Sequence, residues 1–144
     1  MPRRLRPFTL PNLPPPFANY SHAVHAPAGA RWLATSGQLG VAADGSVPED
    51  AETQAELCFD ALRALLAEAR MTPADVVRLN AFVTAREHFA PYGRARDRFL
   101  AEGAGPGERR APPASTLVIV SGFTRPEFKV EVELLAARFD EGEA

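Results

Sequence analysis

A single cysteine, Cys58, in 144 residues excludes an internal disulfide, and three histidines with no second cysteine leave no zinc-ligand spacing of the usual kind. No bound metal or organic cofactor is expected. Charge of one sign is also scarce: 16 Lys+Arg against 18 Asp+Glu leave a formal charge of −2, so no strong field draws polyanions and nucleic acid is not an expected partner. Long apolar runs are missing, since nothing nears the ~20 residues that span a bilayer. The opening MPRRLRPFTLPNLPPPF carries Arg3, Arg4 and Arg6 but no continuous apolar segment of the signal-peptide kind. The expectation is a cytoplasmic chain without a membrane partner. What remains is globular in composition, 46% hydrophobic and 24% charged, and long enough to bury roughly two-thirds of its unfolded surface in one domain.

Proline is concentrated rather than scarce. Seven of the 14 prolines lie within the first 27 residues, which forbids a regular helix there and predicts an extended arm over residues 1–19. The compact domain is expected over 20–140, with a short tail at 141–144. Arg31 to Gly37 reads as a strand ended by glycine, and Ala43-Asp44-Gly45-Ser46 as a turn leading into a hairpin or short excursion.

From Ala51 to Arg70 the apolar positions Ala55, Cys58, Phe59, Leu62, Leu65, Leu66 and Ala69 recur at helical spacing, with Asp50 placed as N-cap. Thr72-Pro73-Ala74-Asp75 reads as a capped turn. It leads into a strand from Val76 to Thr84, rich in β-branched residues. Phe89, Tyr92, Ala95 and Phe99 repeat at three, three and four, a second helix that ends by the glycines at 103, 105 and 107. Thr116 to Val120 is a strand apolar on both faces, and Phe128 to Leu134 alternates with Lys129, Glu131 and Glu133. Joined through Ser121 to Glu127, the two are expected to pair as an antiparallel hairpin, with Ser115 near Glu133 and Leu117 near Glu131. The element order predicts an α+β fold: a mixed sheet with two helices on one face. The other face keeps apolar surface from TLVIV and VVRLNAFV, which self-association would dry.

Several motif readings fail. There is no GxGxxG and no GK[ST] after a strand, so nucleotide binding by those motifs is not expected. Ser36 lacks the GxSxG frame of a nucleophile elbow and reads as a strand-end serine bonded to backbone. His22 and His25, three apart on extended chain, point to opposite faces and read as surface residues. Arg94, Arg96 and Arg98 are interleaved with Glu87, Asp97 and Glu102 and read as a solvated helix face, and Cys58 reads as a buried, inert thiol.

Six pieces in order, LPPPFANYSHAV, TSGQLG, AETQAELCFDALRALLAEA, DVVRLNAFVT, PPASTLVIV and KVEVELLA, resemble the RidA/YjgF family over about residues 13 to 139. The resemblance implies a chorismate-mutase-like fold, a homotrimer, and ligand clefts between subunits. It also implies hydrolysis of reactive imines and enamines to 2-oxo acids and ammonia. Active members grip the substrate carboxylate with an arginine in a PAR[ST] motif and position water with a glutamate on the last strand. By the same resemblance, Glu131 matches that glutamate and is the catalytic candidate. Tyr20, Ser36 and Gly37 match cleft residues, Gly93 stands where the deaminases have asparagine, and Ser115 stands in the arginine's place. A guanidinium makes charge-assisted bonds of about 1.5–3 kcal/mol each to a carboxylate, so Ser115 implies weaker capture of a small 2-imino acid. Three readings follow: a RidA-like hydrolase of an imine or enamine metabolite, a non-catalytic small-molecule-binding trimer, and, with the least support at this charge, a ribonuclease-like activity.

Overall fold

The computed structural model describes residues 3–107 and 110–140; the tail expected over 141–144 lies outside the described residues. The proline-rich stretch contributes one strand, β1 (Arg6–Phe8), which pairs antiparallel with β2 (Ala23–His25) in a two-stranded ribbon. Pro7 is tolerated because such a ribbon has an outer edge where the missing N–H is not needed. His22 ties the loop between these strands. Its Nδ1 accepts from the Leu10 N–H at 3.1 Å, so Nε2 carries the hydrogen and donates to the Pro14 carbonyl at 2.8 Å.

The main sheet contains β3 (Arg31–Ala34), β4 (Gln38–Leu39), β5 (Val76–Val83), β6 (Ala114–Ile119) and β7 (Val130–Arg138). Its order is β3-β7-β5-β6, with β4 also on β7. Two helices, α1 (Ala51–Glu68) and α2 (Phe89–Ala101), cover one face. Asp50 caps α1 as the sequence predicts, accepting from the Thr53 N–H at 2.8 Å. Thr72 and Asp75 form a capping box around the turn before β5. Between the helices Phe59 stacks on Phe99 and Tyr92, with ring centroids 4.7 and 5.9 Å apart. Gln54 is the exception in this apolar seam: fully buried, its amide donates to the Pro48 and Glu127 carbonyls and accepts from the Lys129 N–H. Gly40 is required beside it, since a Cβ there would stand 2.6 Å from Gln54 Cα.

The expected hairpin between the last two strands does not form. β6 pairs in parallel with β5, and β5 lies between β6 and β7. The β5–α2–β6 segment is a crossover unit, which brings β6 beside β5 on the side away from β7. Burial explains the arrangement. The inward row of β7, Val130, Val132, Leu134 and Ala136, is at most 2% exposed and needs a central position, whereas Val118 and Ile119 of β6 remain 43% and 48% exposed at the edge. Leu117 therefore faces Ala81, and Ser115 faces Leu79, rather than Glu131 and Glu133.

Alternation separates the two faces. Leu79, Ala81 and Val83 of β5 turn to the helices, while Arg78, Asn80 and Phe82 turn to the uncovered face. On β7, Glu131, Glu133 and Leu135 share that uncovered face. Exposed Trp32, Val118 and Leu135 also lie on this side, the apolar surface that the sequence pattern anticipates.

Candidate functional site

The residues singled out in the sequence fall into two groups. The first lies on the uncovered face. Gln38 and Leu39 pair with Val132 and Glu131, so the chain entering β4 runs beside the glutamate. The Glu131 side chain folds over Gly37 so closely that a Cβ there would overlap its Oε1. Ser36 is adjacent, and its carbonyl accepts from the Gln38 amide at 3.0 Å. Glu133 is tied to Asn80, which donates to it at 3.2 Å, while Arg78 donates to Asn80 Oδ1 and to Thr116 Oγ1. The Glu131 carboxylate makes no hydrogen bond or ion pair among the described residues. Half-buried and uncommitted, its carboxylate is free to accept a proton or orient water.

The second group lies on the helix side. Leu134, Leu79 and Ser115 stand in one row across three strands, and their side chains share the face that α2 covers. Tyr20 is brought there by Ser21, whose N–H and Oγ donate to the carbonyls of Pro113 and Pro112 just ahead of β6. The Tyr20 hydroxyl accepts from the Phe17 N–H at 3.1 Å. Gly93 is buried on α2.

Ser115 and Glu131 are therefore apart. Two strand spacings of about 4.8 Å and three residues of about 3.3 Å separate them by roughly 14 Å, on opposite faces of the sheet. Within one chain, Ser36, Gly37 and Glu131 lie on one face, and Tyr20, Gly93 and Ser115 on the other.

Arg96, read from the sequence as part of a wet helix face, is only 6% exposed. Its guanidinium lies over the Tyr92 ring, 5.6 Å from the centroid, and Nε donates to Asp97 Oδ1 at 3.0 Å. Asp97 Oδ1 also accepts from Asn19 beside Tyr20, at 2.9 Å. Burial pushes the pKa of the Tyr92 hydroxyl up, and this hydroxyl has no hydrogen-bond partner among the described residues. The available signal was positional: Arg96 falls one residue after Ala95 and three before Phe99 of the apolar stripe, and four after Tyr92. Two hollows flank this part of α2. One of about 310 Å³ is lined by Val83, Arg86, Phe89, Leu117 and Ile119. Another of about 670 Å³ brings Asp97 and Leu100 together with Asn19, Pro112 and Pro113.

A mixed sheet with both helices on one face, open on the other, and carrying these polar groups defines a class. A family model described as Endoribonuclease L-PSP matches residues 11–138, and the chain belongs to that family, the RidA/YjgF family. A RutC family protein of Haemophilus influenzae is 32% identical over 105 residues, 72% of this chain and 77% of that one. TdcF of Escherichia coli K12, provisionally named a reactive intermediate deaminase, is 27% identical over the same shares. Among solved structures, the Rid family protein YyfB of Yersinia pestis superposes with a TM-score of 0.77 at 28% identity, covering 93% of this chain and 98% of its own.

Proposed function

We propose that the chain assembles as a homotrimer and hydrolyses a small imine or enamine metabolite in the clefts between subunits, without metal or organic cofactor. The single observation that carries this reading is the Glu131 carboxylate: it lies over Gly37 on an uncovered sheet face with no partner among the described residues. A second copy is needed because Ser115 and Tyr20 lie across the sheet from Glu131 in the same chain. The exposed Trp32, Val118 and Leu135 supply apolar area for such a seam. Members of the family that carry deaminase names, such as TdcF, support the chemistry.

In this reading Glu131 takes a proton from water as the water oxygen adds to the imine carbon. An enamine first tautomerises to the imine; Glu131 returns its proton to the nitrogen of the carbinolamine and takes up the hydroxyl proton as the carbonyl forms and the carbon–nitrogen bond breaks, so that a 2-oxo acid and ammonia leave and the proton passes back to solvent. Tyr20, Ser36, Gly37, Gly93 and Ser115 line the cleft. No helix among the described residues is long and apolar enough to cross a membrane, and the proposed place of action is the cytoplasm. The second reading, a binding trimer without turnover, is favoured by Ser115, which offers one neutral donor on β6. The charge of −2 gives a ribonuclease reading little support.

The test is 2-aminoacrylate generated in the assay, with imine loss followed against the uncatalysed rate. The native chain is expected to accelerate it, and Glu131→Gln to remove most of the acceleration. Gly37→Ala is expected to do the same with little loss of stability, because a flexible carboxylate can swing away from the new methyl group. Equal rates with and without protein would leave only the binding trimer, which ligand-dependent melting would then detect.

A further inference from the structure

One residue, His22, gathers the proline-rich arm. Its N–H donates to Thr9 Oγ1 at 3.2 Å, its Nδ1 accepts from the Leu10 N–H at 3.1 Å, and its Nε2 donates to the Pro14 carbonyl at 2.8 Å. The rest of the arm is weakly held. The β1–β2 ribbon has three residue pairs, Arg6 with His25, Pro7 with Val24 and Phe8 with Ala23, and the proline at its centre has no N–H to give. Leu10, Leu13 and Phe17, in the loop between these strands, are all exposed, so apolar burial does little for that loop.

The bond at Nδ1 exists in one protonation state. A backbone N–H always donates, so Nδ1 must offer a lone pair, and an imidazolium, protonated on both nitrogens, has none. A second proton sets Nδ1–H against the Leu10 N–H, donor against donor. An imidazole changes charge between about pH 5 and 8. No carboxylate of the arm compensates, because Arg3, Arg4, Arg6 and Arg31 all precede the first acidic residue, Asp44. The loop from Leu10 to Pro14 carries no titratable side chain. The charged and titratable groups on the elements around it are Arg6 on β1, His25 opposite it on β2, Tyr20, and Asp97 of α2, whose Oδ1 is taken by Asn19 and Arg96. None of these bonds to the His22 ring among the described residues, whose partners are Leu10 and Pro14.

The arm is also part of a wall. Leu5 and Pro7 line the hollow of about 670 Å³ together with Val76 and Leu100. Beyond His22 the chain is fastened by groups that do not titrate, since Ser21 donates from its N–H and Oγ to the carbonyls of Pro113 and Pro112.

We infer that residues 3–14 form an acid-released strap: neutral His22 latches it at the wall of this hollow, protonation of the ring unlatches it, and Ser21 is its fixed end. The latch contributes its stability above the imidazole range and loses it as pH falls through that range, because the open strap binds the extra proton. Release leaves the main sheet and both helices in place, since the ring bonds only to the strap, and it opens the Val76 and Leu100 side of the hollow to solvent.

Hydrogen exchange read residue by residue by NMR, at about pH 7.5 and about pH 5 with each rate corrected for its intrinsic pH dependence, tests this. The Leu10 amide is expected to lose protection by about ten-fold at the lower pH, the scale of one hydrogen bond, while Leu62 in α1 keeps its protection. His22→Asn offers an amide oxygen that accepts from the Leu10 N–H and does not titrate, so its Leu10 protection should be the same at both pH values. His25→Gln should respond as the native chain does. In the native protein the ring nitrogen signals of His22 should titrate with the same midpoint as the Leu10 protection, which carries the test if His22→Asn does not fold. The inference is overturned by native Leu10 protection that is equal at both pH values, by a response that persists in His22→Asn or vanishes in His25→Gln, by a parallel loss at Leu62, or by a ring that titrates without affecting Leu10.

Discussion

Cys58 sits between α1 and β7, fully buried, with Sγ 3.8 Å from the Val130 carbonyl to which it donates. Burial, reinforced by the Glu131 charge, pushes its thiol up to about 12. The folded pKa is raised above the unfolded value near 8.5. This group's contribution to stability is therefore complete below about pH 8.5 and is lost as pH rises toward the folded value. At pH 8 a thiol-reactive aromatic disulfide should modify the native chain slowly and the denatured chain at once; rapid stoichiometric labelling of native protein would contradict this burial. The inert thiol was legible in the sequence because helical periodicity places position 58 on the apolar stripe. Arg96 was not, since one arginine of the charged run Arg94, Arg96, Asp97 and Arg98 looks solvated until Tyr92 and Gly93 are seen to make room for it.

At the scale of elements, the most exposed weakness is the joint between α1 and the segment that enters β7. Gln54 holds Pro48, Glu127 and Lys129 together with its one amide. Gln54→Leu keeps the size and leaves two carbonyls and an N–H unpaired in the interior. A loss of about 3 kcal/mol is expected, read as a lower urea midpoint with an unchanged slope. An unchanged midpoint would mean that water replaces the amide at no cost. Both helices, the capped turn before β5 and the strands β3, β5, β6 and β7 could be found from periodicity and caps, which are local signals, whereas the two-residue β4 is too short to carry a period. Strand partners could not. The alternating pattern of β7 and the apolar β6 suit a hairpin as well as they suit flanking β5, and only the crossover of α2 and the depth of Val130 and Val132 decide between them. The difference matters, because a hairpin would put Ser115 beside Glu133 and two residues from Glu131, on adjacent strands instead of across β5.

For the molecule as a whole, the separation of those two residues is the governing feature. A sheet with Glu131 on one face and Ser115 on the other has two faces to satisfy, and two helices satisfy only one. Light scattering is expected to give about three times the 15.6 kDa chain mass; a lone chain at working concentration would end the cleft reading. The same division of labour has a genetic consequence. If each seam draws Glu131 from one subunit and Tyr20 from the next, Glu131→Gln and Tyr20→Ala preparations, each strongly impaired alone, should complement when unfolded and refolded together. In a ring of three, every mixed particle then contains one seam built from two undamaged halves, and random mixing would return about a quarter of the native activity.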